Sequence, residues 1–399
     1  MTSVTRTKDP LQFLEDAMGQ LRAEGLYRRL RVLHGELRPS SRFDGKDVIN
    51  LSSNNYLGLT THPKLREAAL RAVTELGVGS GSVRTIAGTM ELHMELERRI
   101  AAFKKTEAAV VFQSGFAANA GTVAAVLGKE DLILSDELNH ASIIDGARLS
   151  RATIRVFPHR DVEALRKLLE ETAEVKRRLV ITDGVFSMDG DIAPMPGITA
   201  MAREHGAIMM VDDAHASGVL GKAGRGTVDH FGLHGQVDIQ VGTLSKAIGV
   251  LGGYVCGSKT LIEYLYHRAR PFLFSTSHPP AVAAACLAAF DVLESEPELI
   301  ARLWSNTERF KKGLVRTGFD TGTSETPITP ILVGDAELAM KFSDRLFERG
   351  VFAQGIGYPT VAKGKARLRT IVTATHTPEE LDRALSTLEE VGRSLGIIR

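Results

Sequence analysis

Five short polar stretches carry side chains able to do chemistry: "QSGFAAN" (113–119), "DELNHAS" (136–142), "DGVFSMDGD" (183–191), "DDAHASG" (212–218) and "TLSKA" (243–247). They contain Ser114, His140, Ser187, Asp212, His215, Thr243, Ser245 and Lys246. The lysine is the anomaly. It stands inside "VGTLSKAIGVLGG" (241–253), a run of apolar and small residues. An unpaired ammonium in such surroundings costs several kcal/mol or shifts its pKa. Either the side chain snorkels to water, or its amine is bonded to a carbonyl as an imine, which removes the charge.

Read singly, each of the other groups has an ordinary use. An Asp after a strand is a common helix N-cap, and a lone His a common half-buried structural residue. "SGFAANAG" is a tight strand-to-helix turn, or an anion site made by backbone N–H groups at a helix start. "DDAH" has no second His or Cys set to complete a metal site, and no metal is expected. "GVGSGSVRTIAG" (77–88) lacks a preceding strand and GxGxxG spacing, so it is not read as a dinucleotide loop. Together the groups have one chemical logic. Pyridoxal phosphate needs a lysine for its carbonyl, an anion site for its phosphate, a carboxylate at its pyridine nitrogen and a group stacked on its ring.

The elements that must position these groups are legible as "AAVVFQ", "DLILSD", "IRVFPH", "RLVITDG", "AIMMVDDAH" and "VDIQVGTLSK". Several are apolar without strict alternation, as strands covered on both faces are, and helical segments separate them. The succession predicts an α/β fold with a mainly parallel sheet, and functional groups gather at the carboxyl ends of such strands. From the organisation of the chain we expect an N-terminal helix and segment (1–57), a large domain (58–292) and a smaller α/β C-terminal domain (293–399). "DPLQFLEDAMGQLRAEGLYRRL" (9–30) reads as one amphipathic helix, packing on the C-terminal domain or on a second subunit.

With 49 Lys and Arg against 48 Asp and Glu, the formal charge is +1, so neither nucleic acid nor an anionic membrane is an expected partner. The cluster "KRR" (176–178) reads as a solvated helix end. No apolar run approaches the roughly 20 residues needed to span a bilayer, and "MTSVTRTKDP" lacks the apolar core of a secretion signal. Cys256 and Cys286 stand without CxxC or His-rich company, so a reduced, cytoplasmic setting is expected.

The order and spacing of "SSNNYLGL", "GSGSVRTIAGT", "QSGFAAN", "SDELNHASIIDG", "TDGVFSMDGD", "VDDAHASGVLG", "GTLSKA", "RPFLFSTSHPP" and "KARLRTIVTATHT" resemble the α-oxoamine synthases. These are fold-type I, aminotransferase-like pyridoxal-phosphate enzymes that join an amino acid to an acyl-CoA. The resemblance implies that Lys246 forms the Schiff base, Asp212 pairs with the pyridine nitrogen, His215 bonds the ring's phenolic oxygen and His140 stacks on the ring. Ser114, with the backbone of Gly115 and Phe116 and the hydroxyls of Thr243 and Ser245, would hold the phosphate. Ser275 and Thr276 would be phosphate contacts given by the neighbouring subunit, making a homodimer with shared active sites.

Arg369 of "RLR" would bind the amino-acid carboxylate through its planar fork, with Arg367 as its natural control. Asn54 (rather than Asn55) and Ser187 would complete that site. The freed Lys246 amine would remove the Cα proton, and His140 would serve the oxyanion of acyl transfer. For the substrates, "SSNNYLGLTTHP", "GSGSVRTIAGTM" and "DELNHASIIDG" resemble the branch that acetylates glycine from acetyl-CoA, which is the leading expectation. "STSHPP" instead resembles the branch that condenses alanine with a pimeloyl thioester and decarboxylates the product. An enzyme of broad acyl-CoA range and a non-catalytic partner subunit are the remaining alternatives.

Overall fold

A computed structural model of the chain describes residues 9–24, 27 and 29–399. At its centre is a seven-stranded sheet of β1 (Ala108–Phe112), β2 (Leu132–Asp136), β3 (Thr153–Phe157), β4 (Arg178–Asp183), β5 (Ile208–Asp212), β6 (Ile239–Thr243) and β7 (Gly253–Gly257). Their order across the sheet is β1-β7-β6-β5-β4-β2-β3. Only β7 runs antiparallel to its neighbours.

The inner strands show why their sequences lack alternation. Ile133, Ile181 and Met210 pack under Ala118, Val123, Ile143 and Ala147 on one face. Leu134, Val180 and Met209 pack under Leu165, Leu169, Ile198 and Ala202 on the other. Both faces are covered by helices, so successive residues are all apolar. Because β1, β2, β4, β5 and β6 are parallel, their carboxyl ends share one edge of the sheet. Each of the five polar stretches follows one of these ends.

The C-terminal unit holds three antiparallel strands, Ile328–Gly334, Ala366–Ile371 and Gln354–Ile356, covered by helices Ala336–Glu348 and Pro378–Ser394. The N-terminal segment is built into it: the strand Lys46–Asn50 pairs in parallel with Val351–Phe352, and Ile49 and Leu51 share its core. Helix Glu298–Thr317 joins the two units. Its Leu299 and Leu303 lie in the core of the large unit, and its Phe310 and Leu314 in the C-terminal core.

At the start of the chain a helix spans Gln12–Ala23 and leaves Leu11, Phe13, Leu14 and Leu21 exposed. The end of the predicted helix (Gly25, Leu26 and Arg28) and residues 1–8 lie outside the described residues. Among the described residues no helix is long and apolar enough to cross a membrane. Cys256 and Cys286 are buried and unbonded.

Two sequence expectations change. "KRR" is not a solvated helix end: Arg178 opens β4, is buried, and donates to the carbonyls of Leu169 and His205, while Arg177 pairs with Asp131 at 2.9 Å. Those carbonyls close two helices, where backbone acceptors lack intrahelical donors. The second change is an addition, β7, whose five residues "GYVCG" slot between β1 and β6. Glycine is needed at its first position, since a Cβ on Gly253 would lie 2.3 Å from the Ser114 carbonyl oxygen.

Candidate active site

The turn after β6 carries Lys246. Thr243 Oγ1 donates to the Gly252 carbonyl (2.8 Å), and the Ser245 N–H and hydroxyl lie 3.2 and 2.8 Å from Thr243 Oγ1. The loop after β5 abuts this turn. Gly218, at φ +80°, would place a Cβ 2.4 Å from that of Ala247, so only glycine fits. Burial pushes the half-buried Lys246 amine down to about 8, Arg369 adds to the fall, and Asp212 and Asp183 oppose it. Such an amine releases its proton far more readily than a surface lysine, as attack on a carbonyl requires.

Asp212 ends β5 and is buried. Its Oδ1 accepts the Ala214 N–H at 2.8 Å and its Oδ2 accepts Asn119 Nδ2 at 2.6 Å. Asn119 also donates to Ser142 Oγ at 2.9 Å, and Ser142 Oγ lies 2.7 Å from His140 Nδ1. The Ser142 N–H points at the same Nδ1 (3.2 Å), so that nitrogen accepts and the neutral ring carries its proton on Nε2. Burial and the Lys246 charge both push the His140 pKa down, favouring this neutral form.

His215 is fixed in the same way. The Tyr56 hydroxyl lies 2.8 Å from its Nδ1. Burial raises the Tyr56 pKa, and burial together with Lys246, Arg369 and His140 holds that of His215 well below the ordinary value. A protonated phenol facing a neutral imidazole donates, which leaves an Nε2–H on His215 too. Asp183, across the ladder from Asp212, accepts the His140 N–H at 2.8 Å. Burial and the Asp212 carboxylate raise its pKa well above the ordinary value, against the His140 N–H and the Lys246 charge. Asp213 faces away, in a buried pair with Lys104 at 2.7 Å.

Helix Gly115–Val126 begins directly after β1. Ser114 Oγ caps it by accepting the Ala117 N–H at 3.0 Å, leaving the first two N–H groups, of Gly115 and Phe116, open at the helix N-terminus. A Cβ on Gly115 would lie 3.5 Å from Thr243 Oγ1, so the two predicted phosphate contacts converge. A lysine amine of lowered pKa, an oriented carboxylate and a helix N-terminus beside two hydroxyls are the donor set that pyridoxal phosphate requires.

Arg369 Nη2 donates to Asn54 Oδ1 at 2.7 Å, and its Nη1 reaches the Ser187 carbonyl at 3.4 Å. Asn55 turns away, its Nδ2 on Thr60 at 2.7 Å. Arg367 makes a poor control, being buried against Asp189 and the Met188 carbonyl. Ser275 and Thr276 lie on a segment tied to Val83 and Gln113, and their hydroxyls make no hydrogen bond among the described residues.

Sequence reasoning passed over Asn119, Ser142, Tyr56 and Asp183. One signal was available: Asn119 is the single amide in the apolar helix "GFAANAGTVAAV", and a buried amide demands partners.

The class I and II aminotransferase family matches residues 46–388. The 8-amino-7-oxononanoate synthase of Symbiobacterium thermophilum is 60% identical over 387 residues, 97% of this chain and 99% of that protein. That of Thermoanaerobacter pseudethanolicus is 58% identical over 97% and 98%. The 8-amino-7-oxononanoate synthase 1 of Bacillus subtilis is 57% identical over 97% and 99%. Among solved structures, a serine palmitoyltransferase variant from S. paucimobilis with a bound PLP–myriocin aldimine superposes with a TM-score of 0.93 at 33% identity, covering 98% of this chain and 100% of that one. An 8-amino-7-oxononanoate synthase from Francisella tularensis gives 0.74 at 29%, covering 87% and 98%. The chain belongs to the α-oxoamine synthases: it is a pyridoxal-phosphate-dependent acyltransferase of fold type I, within the class I and II aminotransferases.

Proposed function

We propose that this enzyme is an 8-amino-7-oxononanoate synthase, condensing alanine with a pimeloyl thioester and releasing the thiol, carbon dioxide and 8-amino-7-oxononanoate. One observation carries the reading: 60% identity along nearly the whole length of a relative of that name. The glycine and acetyl-CoA expectation, drawn from three short motifs, has no such support, and the "STSHPP" segment keeps the weight it had. Retention of Lys246, Asp212 and both histidines weighs against a non-catalytic partner subunit.

Pyridoxal phosphate, when bound, supplies the electron sink for the charge left on Cα. Lys246 anchors it and moves the Cα proton, its low pKa letting the amine act as a base near neutral pH. Arg369, steadied by Asn54 and the Ser187 carbonyl, receives the amino-acid carboxylate. Asp212, oriented by Asn119 and the Ala214 N–H, faces the pyridine nitrogen. The Nε2–H groups of His215 and His140 serve the phenolic oxygen and the oxyanion of acyl transfer. Gly115, Phe116, Ser114, Thr243 and Ser245 take the phosphate, joined by Ser275 and Thr276 of a second copy in a homodimer. A cytoplasmic setting goes with this reading.

The test is thiol release with alanine, glycine and serine crossed against pimeloyl-, acetyl- and palmitoyl-CoA. Alanine with pimeloyl-CoA should dominate, with one carbon dioxide per thiol. A clear preference for glycine with acetyl-CoA would restore the other branch.

A further inference from the structure

Outside the site, His159 stands between two carboxylates. It follows β3, and its Nδ1 lies 2.9 Å from Asp136 Oδ1 while its Nε2 lies 2.8 Å from Asp191 Oδ2. A neutral imidazole has one N–H, so two carboxylate contacts require the imidazolium. Asp136 ends β2, with its other oxygen on the Arg160 N–H at 2.9 Å. Asp191 closes a tight turn. Phe186 N–H bonds the Asp191 carbonyl, Gly190 N–H bonds that of Phe186, and Val185 bridges Ile192. The His159 ring meets Phe186 edge-on, 4.4 Å between centroids.

This turn is the junction with the C-terminal unit. Arg160 reaches Asp191 at 3.2 Å and Glu325 at 3.5 Å, and Thr326 Oγ1 donates to the Gly190 carbonyl. The turn also carries Ser187, whose carbonyl holds Arg369.

We infer that His159 is a positioning residue for the amino-acid substrate: as an imidazolium bridging Asp136 and Asp191 it locks the turn 185–192, and with it the Ser187 carbonyl that orients Arg369. The inference rests on reading Arg369 as the carboxylate-binding residue. The charged groups facing His159 are Asp136 and Glu137 from the end of β2, Asp191 from the turn, its neighbour Arg160, and Glu325 beyond it. Burial opposes the ring's charge, but the hydrogen bonds and charges of Asp136 and Asp191 outweigh it and lift the pKa to about 9. The pKa is raised on folding, so the clamp is complete below the ordinary histidine value and is lost as pH rises through about 9.

The experiment uses the holoenzyme and reads alanine binding from the change in visible absorbance. His159→Gln should keep its colour and kcat within about twofold while weakening alanine roughly tenfold at pH 7.5, since slight misplacement of a positioning group costs at least this much. Comparing variant with wild type at each pH cancels the titration of alanine and of Lys246. The ratio should shrink toward one by pH 10, where the wild type has lost its own clamp.

Asp191→Asn, which removes one carboxylate and keeps the size, should act in the same direction, and decides the matter if His159→Gln does not fold. Equal affinity in variant and wild type, a pH-independent ratio, or loss of colour would each overturn the inference. Arg369→Leu separates the two readings. If it weakens alanine and His159→Gln does not, only the clamp fails; if it leaves alanine binding unchanged, the assignment of Arg369 fails first.

Discussion

Tyr56→Phe removes one oxygen atom from a side chain that is 1% exposed, and leaves the ring that fills the space. What it takes away is the donor to His215 Nδ1 at 2.8 Å. A buried acceptor left without its donor costs about 1–3 kcal/mol. The tautomer with a proton on Nε2 is favoured over its alternative by that bond, so its preference falls roughly 5- to 150-fold, at about 1.4 kcal/mol per factor of ten. In the other tautomer Nε2 presents a lone pair toward the cofactor's phenolic oxygen. That oxygen is then less well held as an anion, and the cofactor keeps its proton to higher pH.

If most of the lower figure is felt there, the midpoint of the holoenzyme's visible absorbance titration rises by about 0.5 pH unit, since one unit corresponds to about 1.4 kcal/mol. Absorbance against pH for wild type and variant, with turnover at saturating substrate alongside, checks this. A midpoint moved by less than about 0.2 unit, with unchanged turnover, would show that Tyr56 does not set the state of His215, and the tautomer argument would be wrong.

Asn119→Leu should loosen the cofactor, because it deletes a charge-assisted bond to Asp212 Oδ2 at 2.6 Å. The loss of about 1.5–3 kcal/mol predicts a fall in cofactor affinity of roughly tenfold or more, measured by dialysis against free pyridoxal phosphate. Arg369→Lys keeps the charge and loses the fork, so KM for alanine should rise roughly tenfold with the holoenzyme's colour intact. Loss of colour would place Arg369 in the cofactor site instead.

Residues were legible where a single side chain contradicted its surroundings. Lys246 in an apolar run needs an explanation whatever the fold, and the polar ends of β2, β4, β5 and β6 stand out because the strands before them are largely apolar. The partners of these residues were not legible, because they are set by tertiary approach. Asn119 meets Asp212 from 93 positions away, and Tyr56 meets His215 from 159. Nothing local separates Asn54 from Asn55; the fold does, by turning one to Arg369 and the other to Thr60. The antiparallel β7 was hidden for a related reason. Its five residues begin and end in glycine, Gly253 packed on Ser114 and Gly257 on the Asp238 carbonyl and Leu261, and glycines at both ends hide a strand in the sequence.

The substrate was the least legible feature, for a reason that lies in the site itself. On the proposed reading each residue assembled at the strand ends acts on the cofactor or on an amino-acid carboxylate, and glycine and alanine both present that carboxylate. They differ by one methyl group, which a pocket discriminates by only about 1–3 kcal/mol, through contacts that motifs of this length do not encode. The acyl partners differ in chain length and end group, yet on the proposed reading His140 meets only the carbonyl they share. A motif reading therefore identifies the shared half of the reaction and is silent on the half that separates the branches. Identity of 60% along nearly the whole chain carries information the motifs lack, which is why it outweighs three short matches to the glycine branch.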